Sequence, residues 1–186
     1  MRAKIAQWKE EKGCEVVAAI IEPIQSEGGD NHISGYFANG LRKLTKELGI
    51  FMIVDEVQTG VGVTGKFWGH EHWNLESPPD MVTFAKKMLS SGFYHTDATK
   101  MVTPMRHHNT FFGDPVRAIM TAAQNQTIKE DNLPANAKRV GDYLMNEMHN
   151  LAKKHPDFVG TPRGLGTFQA FDVKDIPTRG AFLGKL

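Results

Sequence analysis

The sequence of 186 residues has a single cysteine, Cys14. One cysteine excludes an internal disulfide framework and is typical of proteins in a reducing compartment. Neither sign of charge predominates, because 22 Lys and Arg accompany 21 Asp and Glu and give a net charge of +1. This balance indicates no nucleic-acid or anionic-membrane partner. No stretch reaches the roughly 18 apolar residues that a transmembrane helix needs.

The start of the chain also lacks the features of a targeting segment. No apolar region follows the first basic residues, as it would in a secretory signal peptide, and the early pair Glu10 and Glu11 is untypical of a transit peptide. No activating partner can be placed beside Cys14, so we expect this cysteine to be a small buried residue and not a nucleophile.

Short apolar runs alternate with helical patterns along the chain. Val16–Ile21 and Ile50–Val54 are β-branched runs of the kind found in strands buried on both faces. The helix predicted between them implies a parallel strand pair and hence an α/β fold. Helices are also predicted over 3–12, 36–48 and 134–154. Another helix begins at 114–115 and has an apolar face at 116, 119, 120 and 123. Further strands are predicted over 81–85 and, after a turn at 163–166, over 167–171. The last dozen residues show no closing element.

Three ionisable residues follow the three predicted strands. Glu27 comes after the first, Asp55 directly after the second and Lys86 directly after the third. Ligands of open α/β sheets bind outside the carboxyl ends of the strands, so we expect these three residues at one rim. Taken singly, a lysine after a strand is usually a solvated residue, and Asp55 could cap a turn or bind a metal. His70 and His72 lie between Trp68 and Trp73, which favours packing over a metal site.

Five segments resemble those of one enzyme family. Val54–Gly60, with the sequence VDEVQTG, resembles the cofactor motif of the class-III pyridoxal-phosphate aminotransferases. Thr64–Trp73 and Asp80–Met88 are similar to the corresponding segments of the branch of that family that acts on 4-aminobutyrate. Glu22–Asp30 and Asn109–Pro115 also resemble family segments, and all five occur in the family's order.

The resemblance implies a fold-type-I transferase, mostly parallel in its large domain, with five functional side chains. Lys86 would form the imine with pyridoxal 5′-phosphate and move a proton between the substrate Cα and the cofactor C4′. Asp55 would pair with the pyridine nitrogen, and Gln58 would hydrogen-bond the phenolic oxygen. Thr110 would contact the cofactor phosphate in the partner subunit's site, which implies a homodimer. Glu27 would be a gate residue that pairs with a substrate arginine for an ω-amino donor and releases it for 2-oxoglutarate.

The same resemblance implies an activity and a domain division. The reaction would transfer the amino group of 4-aminobutyrate to 2-oxoglutarate, giving succinate semialdehyde and glutamate. Residues 1–130 would form the C-terminal half of the cofactor-binding large domain, and residues 131–186 the start of the C-terminal small domain. Animal members of the branch are mitochondrial matrix enzymes, which implies that location here.

The chain departs from the family pattern at two positions and at its ends. Ala85 stands where a small hydroxyl residue is usual, and His108 stands where an aromatic residue is expected. We expect an interior segment, with exposed apolar sheet surface and no activity by itself, because the phosphate-cradling turn and both substrate arginines lie outside it. The alternatives are another class-III ω-aminotransferase, for ornithine, acetylornithine or a β-amino acid, and a truncated non-catalytic chain that associates with a full-length subunit.

Overall fold

The computed structural model of the protein describes residues 1–185, which form a four-stranded mixed sheet, two small antiparallel sheets and five α-helices. The helices are α1 (Arg2–Lys12), α2 (Gly35–Leu48), α3 (Pro115–Glu130), α4 (Leu133–Lys154) and α5 (Ile176–Leu183). The strands are β1 (Ala18–Ile21), β2 (Ile24–Gln25), β3 (Asn31–His32), β4 (Phe51–Asp55), β5 (Met81–Phe84), β6 (Gly92–His95), β7 (Gly160–Leu165) and β8 (Phe168–Asp172). None of the helices in the described residues has the length and apolar character needed to cross a membrane.

The main sheet has the strand order β1-β4-β5-β6. β1, β4 and β5 are parallel, and β6 is an antiparallel edge strand that the sequence did not indicate. β1 and β4 are joined through α2, which confirms the predicted parallel pair and the α/β class. Adjacent parallel strands end at the same edge, so the residues that follow β4 and β5 share one rim of the sheet.

Helix α2 covers one face of this sheet. It begins at Ser34, whose side chain accepts a hydrogen bond from the Phe37 N–H, and ends at Gly49 in the left-handed conformation. Its buried side chains pack against alternate residues of β4 and β5, because successive strand residues face opposite sides. The core consists of Ala38, Leu41, Met52, Val54, Trp73 and Val82.

The opposite face of the sheet is open, which corrects the prediction that the first two strands are buried on both faces. Ile20 is 64% exposed and Phe51 is 36% exposed, although Met52 and Val54 are fully buried. The predicted apolar face of α3 is likewise exposed, as Ile119 shows at 70%. Within the described residues no second layer covers these surfaces, so these apolar side chains remain exposed. The exposed apolar surface expected at the outset is therefore confirmed.

Cys14 is a further correction, because it is exposed and not buried. It lies in the connection between α1 and β1, and its Sγ approaches the Lys12 carbonyl oxygen at 3.4 Å. Helix α1 buries no side chain, so the residues that follow it have no core to enter.

The C-terminal part of the chain is a helix packed on a hairpin, α4 against β7 and β8. Residues 163–165, predicted as a turn, belong to β7, and the turn itself falls at Gly166 and Thr167. Helix α5 was not predicted. Its N-terminus is capped by Asp175, which accepts a hydrogen bond from the Thr178 N–H. Eight residues with little apolar periodicity give no clear pattern, so the cap was the only available signal.

The hairpin turn fits closely against the glycine-rich turn that follows β4. Gly166 has a φ of +55°, and a Cβ atom there would lie 2.3 Å from the Val63 carbonyl oxygen. The Thr167 N–H donates to that same oxygen at 2.9 Å. Only glycine therefore allows this approach, which joins the C-terminal hairpin to the rim of the sheet. The proposed division at residue 130 stays a prediction.

An ion pair between the buried Arg42 and the partly buried Asp80 joins α2 to the strands beneath it. Asp80 accepts two hydrogen bonds from Arg42, at 2.6 and 3.2 Å, and a third from the Met52 N–H at 2.8 Å. Burial opposes ionisation of Asp80, but these donors outweigh it and hold the pKa of the carboxyl below its usual value. The pair fixes the start of β5 against β4.

Removing the charge of Asp80 tests this. Asp80→Asn should lower the free energy of unfolding by about 3 kcal/mol, because Arg42 would be left buried without its counter-charge. Urea unfolding of the full chain measures the change. Asp142→Asn is the matched control, since its pair with Lys138 is solvent-exposed and should contribute little. Equal losses in the two variants would contradict a special role for the buried pair.

Candidate active site

Asp55 ends β4 at the rim of the sheet, on the face that α2 does not cover. Its Oδ1 accepts hydrogen bonds from the Val57 N–H and the Thr83 hydroxyl, both at 3.0 Å. Thr83 lies directly opposite on β5. The second oxygen, Oδ2, makes no hydrogen bond with any residue that the structure describes. The carboxylate is therefore held in position with one acceptor available to a ligand.

Lys86 lies one residue beyond Ala85, which follows the end of β5 at Phe84, and begins a tight turn that ends at Met88. Its φ of +50° is uncommon for a residue with a side chain, and the turn is anchored by Met88, which is 1% exposed. The Lys86 side chain is exposed and lines a cleft of about 750 Å³. The other residues lining this cleft are Leu89, Ser90, Ser91, Asn109, Phe111, Phe112, Gly113, Asp114, Arg117, Ala118 and Met120.

Lys87, the alternative lysine, is engaged with the protein. Its Nζ donates to the Gln58 carbonyl oxygen, and its own carbonyl oxygen accepts from the Gln124 side chain. Burial, and then the positive charge of Lys86, lower the pKa of Lys87 below its ordinary value. Lys86 has no hydrogen bond from its Nζ within residues 1–185, so it is the free amine of the two.

The remaining predicted site residues make few contacts. Gln58 is half-buried in the turn after β4, and its side-chain amide makes no hydrogen bond within the described residues. Thr110 is exposed between Asn109 and Phe111, which line the cleft. Glu27 is exposed in the loop between β2 and β3. No hydrogen bond or ion pair in the described part of the chain joins Glu27 to the other four.

Sequence reasoning missed Glu56, which lies beside Asp55 and is 1% exposed. Its carboxylate accepts hydrogen bonds from the Thr59 hydroxyl at 2.5 Å, the Gly69 N–H at 2.9 Å and the His70 N–H at 2.7 Å. The His70 ring nitrogen Nδ1 lies 2.7 Å from the same carboxylate. The only signal in the sequence was a second acidic residue after a buried strand, which alone does not distinguish a structural role from a catalytic one.

The Glu56 contacts explain why this carboxylate is buried. Burial by itself would raise its pKa, but the hydrogen bonds from His70, Thr59 and Gly69 outweigh burial and hold the pKa of Glu56 below its usual value. His72 has a similar structural contact, with its Nε2 3.2 Å from the Thr64 carbonyl oxygen. Both histidines therefore pack against the turn that follows β4, as their aromatic neighbours indicated.

Glu56 should make stability depend on pH in the acid range. Because its pKa is lower in the folded than in the unfolded chain, where it is about 4.3, its contribution is complete above that value. The contribution is lost as the pH falls through the folded pKa. Glu56→Gln should cost about 2 kcal/mol at pH 7 and progressively less below pH ~4.

Urea unfolding of the full chain from pH 3 to 7 measures this dependence. Glu10→Gln is the control, since Glu10 is exposed on α1 and makes no hydrogen bond in the described residues. A stability difference between Glu56→Gln and the wild type that stays constant across this pH range would contradict the assignment.

The fold and this rim define the class of protein. The chain belongs to the aminotransferase class-III family, whose profile matches residues 1–185. Its fold is that of the fold-type-I pyridoxal-phosphate-dependent transferases. The solved lysine aminotransferase from M. tuberculosis superposes with a TM-score of 0.84 at 30% identity, over 93% of this chain and 40% of that one. The structure of Plasmodium falciparum ornithine δ-aminotransferase gives 0.77 at 28% identity, over 91% of this chain and 45% of that one.

Among curated proteins, the similarity is higher to one particular group. The 4-aminobutyrate aminotransferase of Dictyostelium discoideum is 50% identical over 157 residues, which cover 84% of this chain and 32% of that protein. The mitochondrial 4-aminobutyrate aminotransferase of Mus musculus is 45% identical over 164 residues, covering 88% and 33%. The chain spans about a third of the length of the curated relatives that it matches.

Proposed function

We propose that the full-length protein containing these 186 residues, called the full chain in the experiments below, is a pyridoxal-phosphate-dependent transaminase. It would transfer the amino group of 4-aminobutyrate to 2-oxoglutarate and release succinate semialdehyde and glutamate. The observation that carries this proposal is the sequence identity of 44–50% to proteins named 4-aminobutyrate aminotransferase over 84–91% of the chain. The geometry of Lys86 and Asp55 at the sheet rim supports it.

The residues present fit pyridoxal phosphate. An aldehyde needs an accessible primary amine, and the Lys86 side chain is exposed in a cleft. A protonated pyridine nitrogen needs a carboxylate, and Asp55 has a held carboxylate whose Oδ2 makes no other hydrogen bond in the described residues. The bound cofactor supplies an electron sink for the carbanion that forms when the substrate Cα loses its proton.

Lys86 has two tasks in this proposal. Its Nζ would hold the cofactor, for which the amine must lose its proton. When it is not holding the cofactor, the Lys86 amine would move a proton between the substrate Cα and the cofactor C4′. Asp55 keeps a negative charge beside the ring nitrogen, and the Val57 N–H and Thr83 hydroxyl fix the orientation of that charge.

The other predicted residues complete the site as proposals. Gln58 has a free side-chain amide to donate to the phenolic oxygen of the cofactor. Thr110 is exposed, as it must be if it contacts the phosphate in the site of a partner subunit, so a homodimer belongs to the proposal. Glu27 is exposed in its loop and would pair with a substrate arginine for the ω-amino donor.

Reductive labelling tests the assignment of Lys86. Treatment of the full chain with pyridoxal phosphate and then borohydride should place the label on the peptide that contains Lys86, because its amine is free. Lys86→Ala should abolish the label, whereas Lys87→Ala should leave it on Lys86. Peptide mapping by mass spectrometry distinguishes the two adjacent lysines. A label on Lys87 in the wild-type chain would overturn the assignment.

Asp55→Asn tests the role of the carboxylate. The amide keeps the size and one acceptor but loses the charge that holds the ring nitrogen protonated, so kcat should fall at least about 100-fold. The asparagine chain should still fold and be labelled at Lys86. Asp97→Asn, at an exposed position, is the control and should keep wild-type activity. Retention of activity by Asp55→Asn would contradict the proposal.

The choice of amino donor is part of the proposal. Solved relatives that act on lysine and ornithine are 28–30% identical, well below the 44–50% of the 4-aminobutyrate enzymes. Comparing kcat/KM for 4-aminobutyrate, ornithine and lysine with the full chain tests this choice. The mammalian relatives are named mitochondrial, so the mitochondrial matrix is the proposed location.

A further inference from the structure

The side chain of Arg163 contacts residues up to 134 positions earlier in the sequence. Its Nε donates to the Asp30 carbonyl oxygen at 3.0 Å, and its Nη2 donates to the Gly29 carbonyl oxygen at 3.1 Å. The guanidinium also pairs with Asp172 at 2.9 Å and donates to the Thr161 carbonyl oxygen at 2.9 Å. One side chain of the C-terminal hairpin therefore holds the loop between β2 and β3 by its main chain.

An irregularity in the β7–β8 hairpin lies directly before Arg163. Gly160 pairs with Asp172 and Arg163 with Ala170, so β7 has one residue more than β8 between these two pairs. This is a β-bulge, and such bulges redirect the side chains next to them. Thr161, inside the bulge, has a φ of +45°, which is costly for a β-branched residue. The Arg163 side chain is 23% exposed, so its bonds are partly shielded from water.

The loop that Arg163 holds also has hydrogen bonds of its own. The Gly29 and Asp30 N–H groups both donate to the Ser26 carbonyl oxygen, at 3.2 and 3.1 Å. The Asn31 side-chain amide donates to the Gly28 carbonyl oxygen at 3.0 Å and to Gln25 Oε1 at 3.2 Å. Gly29 and Asp30 have φ values of +106° and +50°. These contacts are all local, and Arg163 adds hydrogen bonds to the loop from a distant part of the chain.

Glu27 lies in this loop, and its own side chain has no partner in the described residues that could fix it. The position of the Glu27 side chain depends on the main chain of residues 26–30. Arg163 is hydrogen-bonded to the carbonyl oxygens of Gly29 and Asp30 in that segment. A shift of about 1 Å in a substrate-positioning group can cost up to 100-fold in rate. A change in the conformation of this loop would therefore move the Glu27 carboxylate.

We propose that Arg163 is a positioning residue for selection of the amino donor, acting by clamping the Gly29 and Asp30 carbonyl groups and so holding the loop that carries Glu27. The inference rests on the proposed function, in which Glu27 serves the ω-amino donor. Arg163 itself touches neither cofactor nor substrate. Its loss should weaken the reaction of 4-aminobutyrate more than that of glutamate, since Glu27 releases its partner for the latter.

The test uses three variants of the full chain. Arg163→Met removes all four hydrogen bonds, and Arg163→Lys keeps the positive charge but cannot reproduce the forked set. If the methionine variant does not fold, the lysine variant still tests whether the Arg163 hydrogen bonds position the loop. Arg139→Met is the matched control, because the hydrogen bond of Arg139 in the described residues goes to Asn136 on its own helix.

Two readouts are needed. Amide hydrogen exchange of the cofactor-free chain should be about tenfold faster over residues 26–32 in Arg163→Met, and intermediate in Arg163→Lys. Single-turnover amino transfer should show kcat/KM for 4-aminobutyrate about tenfold lower, with the value for glutamate within about twofold of the wild type. Arg139→Met should match the wild type in both readouts.

The outcomes separate the two proposals. Unchanged exchange over residues 26–32, or equal losses for both amino donors, would overturn the positioning role, because a general loss of structure affects both donors alike. Absence of amino transfer from 4-aminobutyrate in the full-length wild-type protein would instead reject the proposed function. In that case, the exchange comparison alone would still decide whether Arg163 holds the loop.

Discussion

The burial of the Glu56 carboxylate is the constraint on which the rim of the sheet depends. A charge removed from water needs full hydrogen bonding, and Glu56 finds it only if Thr59, Gly69 and His70 converge on it. This requirement folds the long connection between β4 and β5 back over the end of β4. The turn that contains Gln58, and through it the contact with Lys87, lies inside that folded connection.

Two neighbouring carboxylates thus have opposite roles because they leave the strand on opposite sides. Glu56 is surrounded by donors and is 1% exposed, so its charge is used for structure. Asp55 is half-buried and accepts two hydrogen bonds on one oxygen, while its other oxygen accepts none from the part of the chain that the structure describes. The adjacent lysines divide in the same way, since Lys87 is hydrogen-bonded to protein groups and the Lys86 amine has no partner within residues 1–185. Each pair therefore contains one residue engaged by the fold and one that can serve the proposed chemistry.

The C-terminal hairpin contacts two loops of the preceding part of the chain. Its turn at Gly166 packs against the turn after β4, and Arg163 reaches the loop before α2. Both contacts act on main-chain groups, so they constrain position and leave the nearby side chains free for ligands. Loops held in this way can support different substrates on one sheet, because the scaffold fixes their ends and not their side chains.

The sequence alone determined the strand and helix pattern around β4 and β5, the parallel pairing and the family motif, because these depend on local periodicity and on residue spacing. It also placed Asp55 and Lys86 at strand ends. Burial was decided by the tertiary structure, since the apolar residues Ile20 and Ile119 are exposed where no layer covers them. The roles of Glu56 and Arg163 were likewise invisible in the sequence. Their partners lie 13 and 134 positions away, and only the folded chain brings those hydrogen-bonding groups together.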